Sequence, residues 1–339
     1  MFDLIWVSVS KSGTAPNSIP AGGYCTRACA QDIDCEGQGV CSALDPNDLT
    51  KTYCAATCEL GNVTACTEPA TTSDSTRRTN PILQRVVLDS RMRDPDSPKQ
   101  FRPWLLPDGA ELCWPDPNLA NADEGLVAVG GGLEPARLLS AYAAGIFPWF
   151  DDQSPILWWS PEPRAVLQLQ NLHVSRSLRR CLQRESFLVS ADRDFAGVID
   201  GCADRVNGTW ITQDMRSAYI ALHGLGHAHS FEVYRDSELV GGLYGVQVGA
   251  LFAAESMFHR ATDASKIALV SAVSSLFSAG FTLFDVQFLT SHLASLGATL
   301  MPRRSYLQAA TAAAVQTVPW AAVLDELRAR FPSASRLDK

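Results

Sequence analysis

The chain lacks a positive charge excess, a long apolar run and the common nucleotide-binding and hydrolase signatures, and each absence removes a class of protein. Its 28 basic residues stand against 36 acidic ones, a net of −8. General attraction to nucleic acid through a basic surface is therefore excluded, and any such contact has to be local. No uncharged apolar run approaches the roughly 18 residues of a membrane span. No basic n-region flanks the short apolar stretch Leu4–Val9, so no export signal is expected. There is no G-x-S-x-G elbow, which removes support for a serine hydrolase. Gly241, Gly242, Gly245 and Gly249 fit neither Rossmann nor P-loop spacing and suit close packing and turns between strands. With 46% hydrophobic and 19% charged residues the chain is no candidate for wholesale disorder, and its 339 residues allow about two domains.

Cysteine is present but confined. Seven of the ten lie at Cys25, Cys29, Cys35, Cys41, Cys54, Cys58 and Cys66, leaving Cys113, Cys181 and Cys202 for the rest. Residues 1–76 hold nine acids against Lys11, Arg27 and Lys51, a net of −6, so the remainder of the chain is nearly neutral at −2. Dense cysteine among Gly, Asp, Thr and Pro describes a small module held by disulfides in an oxidising compartment, with one thiol left over. Zinc competes, but the spacings contain no C-x2-C pair and no nearby histidine. The expected division is a Cys-rich extension at 1–76 and a linker at 77–99, rich in Thr, Ser, Asp, Pro and Arg. Because Met92 precedes the first enzyme-like sequence, residues 1–91 read as a fused accessory segment or a misplaced translation start.

From residue 100 the periodicity changes. EPARLLSAYAAGIF predicts a helix with Pro135 in its first turn and Gly145 at its end. A second helix over about 174–185 carries Arg176, Arg179, Arg180 and Arg184, and a short strand and helices near 194–203 and 213–224 follow. HSFEVYR, SELVGGLYGVQVG and ALFAAESMF, separated by Asp-Ser and Val-Gly turns, predict consecutive antiparallel strands. A helix from Asp263, with TDASK as its cap, ends at Gly280; the strand TLFDVQF and a short helix near 291–296 come next. Such an order indicates an α+β, mixed α/β sheet domain.

The last strand is the most informative segment. Alternation sets Phe284, Val286 and Phe288 on one face and Asp285 and Gln287 on the other, polar groups in a segment fit for burial. A structural hydrogen-bond network inside the sheet and a ligand site both account for them. In ALFAAESMF, Glu255 and Met257 are expected on one face, where a second carboxylate and an apolar side chain could meet that pair. Phe147, Trp149, Phe150, Trp158, Trp159 and Trp210 sit near Gly and Pro turns, either filling core or offering faces on which a base stacks. His227 and His229 could ligate a metal, but no third ligand is near in sequence, so no metal site is expected. The arginine helix is either a solvated face or the best local phosphate binder in an acidic protein.

These strings resemble one family. FPWF (147–150), PILWWSPEPRAVL (155–167), HVSRSL (173–178), GTWIT (208–212), LHGLGHAHSFEV (222–233), LVGGLYGV (239–246), ESMF (255–258), DASK (263–266), FDVQFL (284–289) and HLASLGA (292–298) are together similar to leucyl/phenylalanyl-tRNA–protein transferases, collinearly from about Leu112 to Tyr306. The resemblance implies a bacterial cytoplasmic aminoacyltransferase that moves leucine or phenylalanine, less often methionine, from tRNA to the N-terminal Arg or Lys of a protein, creating a degradation signal. It implies a small N-terminal α/β domain at 100–165, a catalytic domain of GNAT-type N-acyltransferase fold at 166–318 and a C-terminal tail at 319–339. No cofactor or membrane is implied, and a monomer is expected. By the same resemblance Asp285, Gln287 and Glu255 are catalytic, and Leu243, Phe252, Met257 and Phe284 line the aminoacyl pocket. Tyr142, Trp149 and Trp210 meet the terminal adenosine, and Arg176, Arg179, Arg180 and Arg184 hold the tRNA backbone. The chain departs from the family pattern at Gly132, Leu243 and Ala254, where the extra methyl of Ala254 narrows the pocket. Two alternatives stand beside this reading: an acyl-CoA-dependent N-acetyltransferase, and a secreted or envelope Cys-rich binding protein with a degenerate transferase domain.

Overall fold

Three long strands occur where the sequence alternates between turn signals: Ala228–Arg235, Glu238–Val248 and Leu251–His259. The first turn has positive φ at both Asp236 (51°) and Ser237 (66°), the two-residue geometry that matches strand twist. Gly249, with φ +60°, makes the second. The computed structural model describes residues 103–106, 112–120, 125–183, 187–205 and 208–331, together with the backbone of strands Tyr24–Cys29, Val40–Ser42 and Thr52–Thr57. Those three strands and Cys113–Trp114 form a four-stranded sheet. The cysteine side chains of the extension, the linker, Met92 and Arg184 lie outside the described residues.

The main sheet has seven strands, in the order Leu188–Ala191, Ala228–Arg235, Glu238–Val248, Leu251–His259, Leu283–Gln287, Arg164–Val166 and Thr299–Met301. Its one parallel pair joins Leu251–His259 to Leu283–Gln287, and the helix Ala264–Ala279 makes the crossover that parallel strands require. That pair stays in register only from Leu251–Leu283 to Ala253–Asp285. Beyond it the two strands run on unpaired with each other toward Glu255 and Gln287. The mixed α/β architecture is the one expected, and the glycines of the middle strand serve close packing: a methyl on Gly241 would lie 2.6 Å from the Cβ of Ala264 in the crossover helix.

Helices cover both faces. Ala264–Ala279 packs one face over a core containing Leu243, Phe252, Met257 and Phe284. Pro135–Ala143, Phe195–Ala203 and Gln213–Gly224 contribute to a core on the other face, which continues into Val127 and Trp158 of the small sheet. That small sheet runs Trp104–Leu106, Leu126–Gly130, Leu157–Trp159 and Phe147–Pro148. Pro135 opens its helix, and Gly145 at φ +73° ends it.

Several local expectations change. The arginine helix spans Arg176–Gln183. Asp263 stands at the N-cap of the crossover helix but makes no capping bond; its carboxylate takes Lys266 Nζ at 2.8 Å instead. The segment from 319, set off as a tail, contains the helix Trp320–Arg330, whose Val323 and Leu327 are buried in the main core. The expected division at 165/166 falls inside the strand Arg164–Val166, which belongs to the main sheet.

Candidate active site

Gln287 ends its strand in a conformation that side chains seldom adopt. Its φ is +55°, and the N–H of Phe288 donates to the carbonyl of Val286 at 2.7 Å, closing a γ-turn around it. The turn corrects the simple alternation. Phe288 leaves the face of Phe284 and Val286 and packs edge-on against Phe147 and at a tilt against Trp149, each at 5.9 Å. Backbone strain of this kind persists only where surrounding contacts over-determine it.

Those contacts begin with Asp285, which is fully buried. Its Oδ1 accepts the backbone N–H of Gln287 at 2.9 Å and Arg164 Nε at 2.8 Å; its Oδ2 accepts Arg164 Nη2 at 2.6 Å and the Tyr306 hydroxyl at 2.8 Å. Four donors fill the four acceptor positions of a carboxylate. Arg164 was missed by the sequence reading although it lies at the centre of this network. Burial opposes its charge, but the adjoining Asp285 outweighs that and raises its pKa.

Glu255 comes from the neighbouring strand through a β-bulge. Gly245 faces Ala254 and Tyr244 faces Ser256, so Glu255 is the inserted residue. The bulge overturns the expectation that Glu255 and Met257 share a face: Met257 stays with Leu243, Phe252 and Phe284 in the main core, while Glu255 turns to the opposite side. There its Oε2 accepts the Tyr219 hydroxyl at 3.0 Å and its Oε1 accepts Gln287 Nε2 at 3.3 Å. Tyr219 and Tyr142 are in turn hydroxyl to hydroxyl. Desolvation pushes the Glu255 pKa up to about 8, against the opposing pull of the Tyr142 and Tyr219 hydroxyls. The three polar residues singled out in sequence therefore do meet. Gln287 gives its amide N–H to Glu255 and its backbone N–H to Asp285, leaving its Oε1 without a hydrogen bond among the described residues.

The remaining expected residues occupy three places. Leu243, Phe252, Met257 and Phe284 are all buried in one cluster, with Phe252 and Phe284 stacked at 5.6 Å. Trp149 and Trp210 are half-buried, whereas the Tyr142 ring is buried. Arg176, Arg179 and Arg180 are exposed on their helix. At Gly132 a side chain would meet only the movable carboxylate of Glu134, which reaches Arg137 Nε at 3.2 Å, and nothing in the structure explains this departure from the family pattern.

Among the described residues, Asp192, His223 and His229 are close enough to hold a metal ion. His229 thus has neighbours that the sequence did not suggest. Yet its Nδ1 already bonds Asp192 Oδ2 at 2.7 Å, Asp192 Oδ1 takes the Ser230 N–H at 2.9 Å, and His223 Nδ1 bonds the Ala228 carbonyl at 2.8 Å. The group satisfies itself, and two strands of the sheet separate His229 from the Asp285 strand.

Comparison with known proteins gives a consistent result. Residues 166–311 match the family profile described as leucyl/phenylalanyl-tRNA protein transferase, and residues 131–162 match the profile of that protein's N-terminal domain. A leucyl/phenylalanyl-tRNA–protein transferase of Anaeromyxobacter sp. (strain K) is 57% identical over 201 residues, covering 58% of this chain and 86% of the relative. Those of Citrobacter koseri and Escherichia coli O157:H7 are each 53% identical, covering 58% of this chain and 85% of the relative. Among solved structures, L-PGS from Bacillus licheniformis aligns at 13% identity and a TM-score of 0.29, covering 50% of this chain and 57% of that one. A GCN5-related N-acetyltransferase-like protein from Streptococcus suis aligns at 14% identity and a TM-score of 0.24, covering 47% and 61%. Overall likeness at that level carries no weight for fold or chemistry.

Proposed function

The chain belongs to the leucyl/phenylalanyl-tRNA–protein transferase family, and on that premise we propose how its residues carry out aminoacyl transfer. The donor is leucyl-, phenylalanyl- or methionyl-tRNA, and the acceptor is a protein with N-terminal Arg or Lys. The enzyme acts as a cytoplasmic monomer. No helix among the described residues is long and apolar enough to cross a membrane.

An aminoacyl ester is already activated, and an α-amine with a reference pKa of about 7.7–8.0 is partly neutral at pH 7, so the site has to position, take one proton and steady the tetrahedral intermediate. One observation carries the reading: the Gln287 carboxamide is held by its N–H on Glu255, so its carbonyl oxygen is left for an incoming amine. The amine donates a hydrogen bond to Gln287 Oε1 as its nitrogen attacks the ester carbon. An amide is too weak a base to keep the proton, and Asp285 has every acceptor position filled. Glu255 in its ionised form is the proton acceptor: burial raises its pKa to about 8, close to that of the amine it serves, so transfer rises as pH approaches 8. As the ester C–O bond breaks, Glu255 returns the proton to the ribose oxygen, so no proton is gained or lost overall.

The family pattern assigns Leu243, Phe252, Met257 and Phe284 to the aminoacyl side chain, which enters where the two parallel strands part beyond Ala253 and Asp285. It assigns the half-buried Trp149 and Trp210, with the buried Tyr142, to the terminal adenosine, and the arginine helix to the tRNA backbone without reading its sequence. The acyl-CoA alternative is disfavoured by the loop before the crossover helix: residues 259–266 contain no glycine, whereas a pyrophosphate cradled by backbone N–H groups needs close backbone approach at such a helix start. The test is a mass shift on a peptide beginning with Arg, incubated with leucyl-tRNA. Addition of one leucine by both the full chain and a form starting at Met92 is expected. Addition by neither, with both folded, would refute the assignment.

A further inference from the structure

We propose that Arg164, backed by Tyr306, is the positioning residue of this site: its guanidinium grips Asp285 on one side and the chain at Gly145 on the other, and so fixes the turn that aims Gln287. The inference deepens the transferase reading and rests on it.

Arg164 is buried, and its hydrogen bonds are all directed. Nε and Nη2 engage the two oxygens of Asp285 as a fork, at 2.8 and 2.6 Å, while Nη1 donates to the Gly145 carbonyl at 3.2 Å. Its charged plane is covered by the Phe147 ring at 4.6 Å and the Tyr306 ring at 4.4 Å. Tyr306 adds a hydroxyl donor to Asp285 Oδ2 at 2.8 Å. Asp285 is thus held in one orientation by three donors from elsewhere and presents Oδ1 to the Gln287 N–H at 2.9 Å.

Stability alone does not account for such a pair. Buried ion pairs are costly to desolvate, and well-packed apolar residues of the same volume serve stability equally well or better. What an apolar pair cannot supply is a fixed acceptor for a backbone N–H inside a strained turn. Phe147, which covers the guanidinium, also packs against Phe288, the residue on the far side of Gln287. Gly145, the other anchor, lies just past Ala144, the cap of the helix that carries Tyr142. The same guanidinium therefore ties the catalytic turn to the adenosine side of the site. Lysine, with a single point charge, cannot hold both oxygens and the carbonyl together.

The test compares Arg164→Lys and Tyr306→Phe with the wild-type chain, reading kcat, KM for leucyl-tRNA and for the Arg peptide, and melting temperature. Misplacement of a reacting group by about 1 Å costs on the order of 100-fold. Arg164→Lys is expected to lose kcat on that scale and Tyr306→Phe about tenfold, with both KM values held within about threefold. Variants that turn over at the wild-type kcat would overturn the proposal while the transferase reading stood. So would a melting temperature and KM values that degrade in step with kcat, which is how a merely structural pair behaves. Should Arg164→Lys be recovered unfolded, Tyr306→Phe decides alone, since it removes a single oxygen. An inactive wild-type chain would instead remove the functional reading, and this proposal with it.

Discussion

Two buried carboxylates meet at Gln287, and their surroundings assign them different tasks. Asp285 is saturated by donors and serves as a fixed acceptor. Glu255 accepts a tyrosine hydroxyl and an amide, and burial raises its pKa to about 8 from an ordinary carboxylate value. The folded protein therefore binds a proton at Glu255 over a pH range in which the unfolded chain has released it. Stability from this site is present below about pH 4.5 and lost as pH climbs toward and through about 8. Glu255→Gln, which stays neutral, is expected to be more stable than the wild type at pH 8.5 by on the order of a few kcal/mol and to melt correspondingly higher, with the difference shrinking toward pH 5. The same variant should lose transfer by roughly 100-fold or more. Melting curves across that range check the first expectation and single-turnover rates the second. Asp285, Gln287 and Glu255 were legible in sequence because polar residues stood out in strands fit for burial. Arg164 was not, because its partner lies 121 positions away. Its own segment, SPEPRAVL, is too short and too rich in proline to show a period.

At the scale of the element, two irregularities do what regular strands could not. The bulge at Glu255 sends that carboxylate to the face of Tyr219 while Met257 stays with the apolar core around Phe252 and Phe284. The γ-turn at Gln287 ends the strand and turns Phe288 toward Trp149. Neither can be read from period-two alternation, which is why Glu255 with Met257 and Phe288 with Phe284 were grouped wrongly. The three long strands, the strand of Asp285 and the hairpin turns were legible, since they depend on local pattern; the short strands Arg164–Val166 and Thr299–Met301, the order of the sheet and the breaks in register depend on what the neighbouring strand presents. The positive φ at Gln287 also has a measurable cost. Gln287→Gly and Gln287→Ala both remove the carboxamide, but only glycine is at ease at +55°. The glycine variant is expected to be the more stable by about 1 kcal/mol, although both lose roughly 100-fold or more in transfer. Equal midpoints in urea would mean that the turn is not strained in solution.

Over the whole molecule, charge is partitioned. The extension at 1–76 carries −6 of the net −8, and the nearly neutral remainder presents Arg176, Arg179 and Arg180 on one exposed helix face. A protein without a general basic surface is then expected to hold tRNA through few phosphates. Replacing these three arginines by alanine should raise KM for leucyl-tRNA at least tenfold and reduce the slope of log affinity against log salt by about 2–3, with kcat nearly unchanged. A slope equal to the wild type would place the tRNA elsewhere. The family was legible because long unusual strings run collinearly through the catalytic part of the chain. The helix Trp320–Arg330, by contrast, passed for a tail because its buried residues, Val323 and Leu327, give only a thin apolar stripe.

With Gln287 Oε1 left to receive the attacking amine, the decisive measurement is the single-turnover rate of leucine transfer to an Arg peptide by the wild type and by Gln287→Ala. A loss of roughly 100-fold or more in the chemical step, with leucyl-tRNA affinity retained, is predicted. Transfer by Gln287→Ala at the wild-type rate would contradict it.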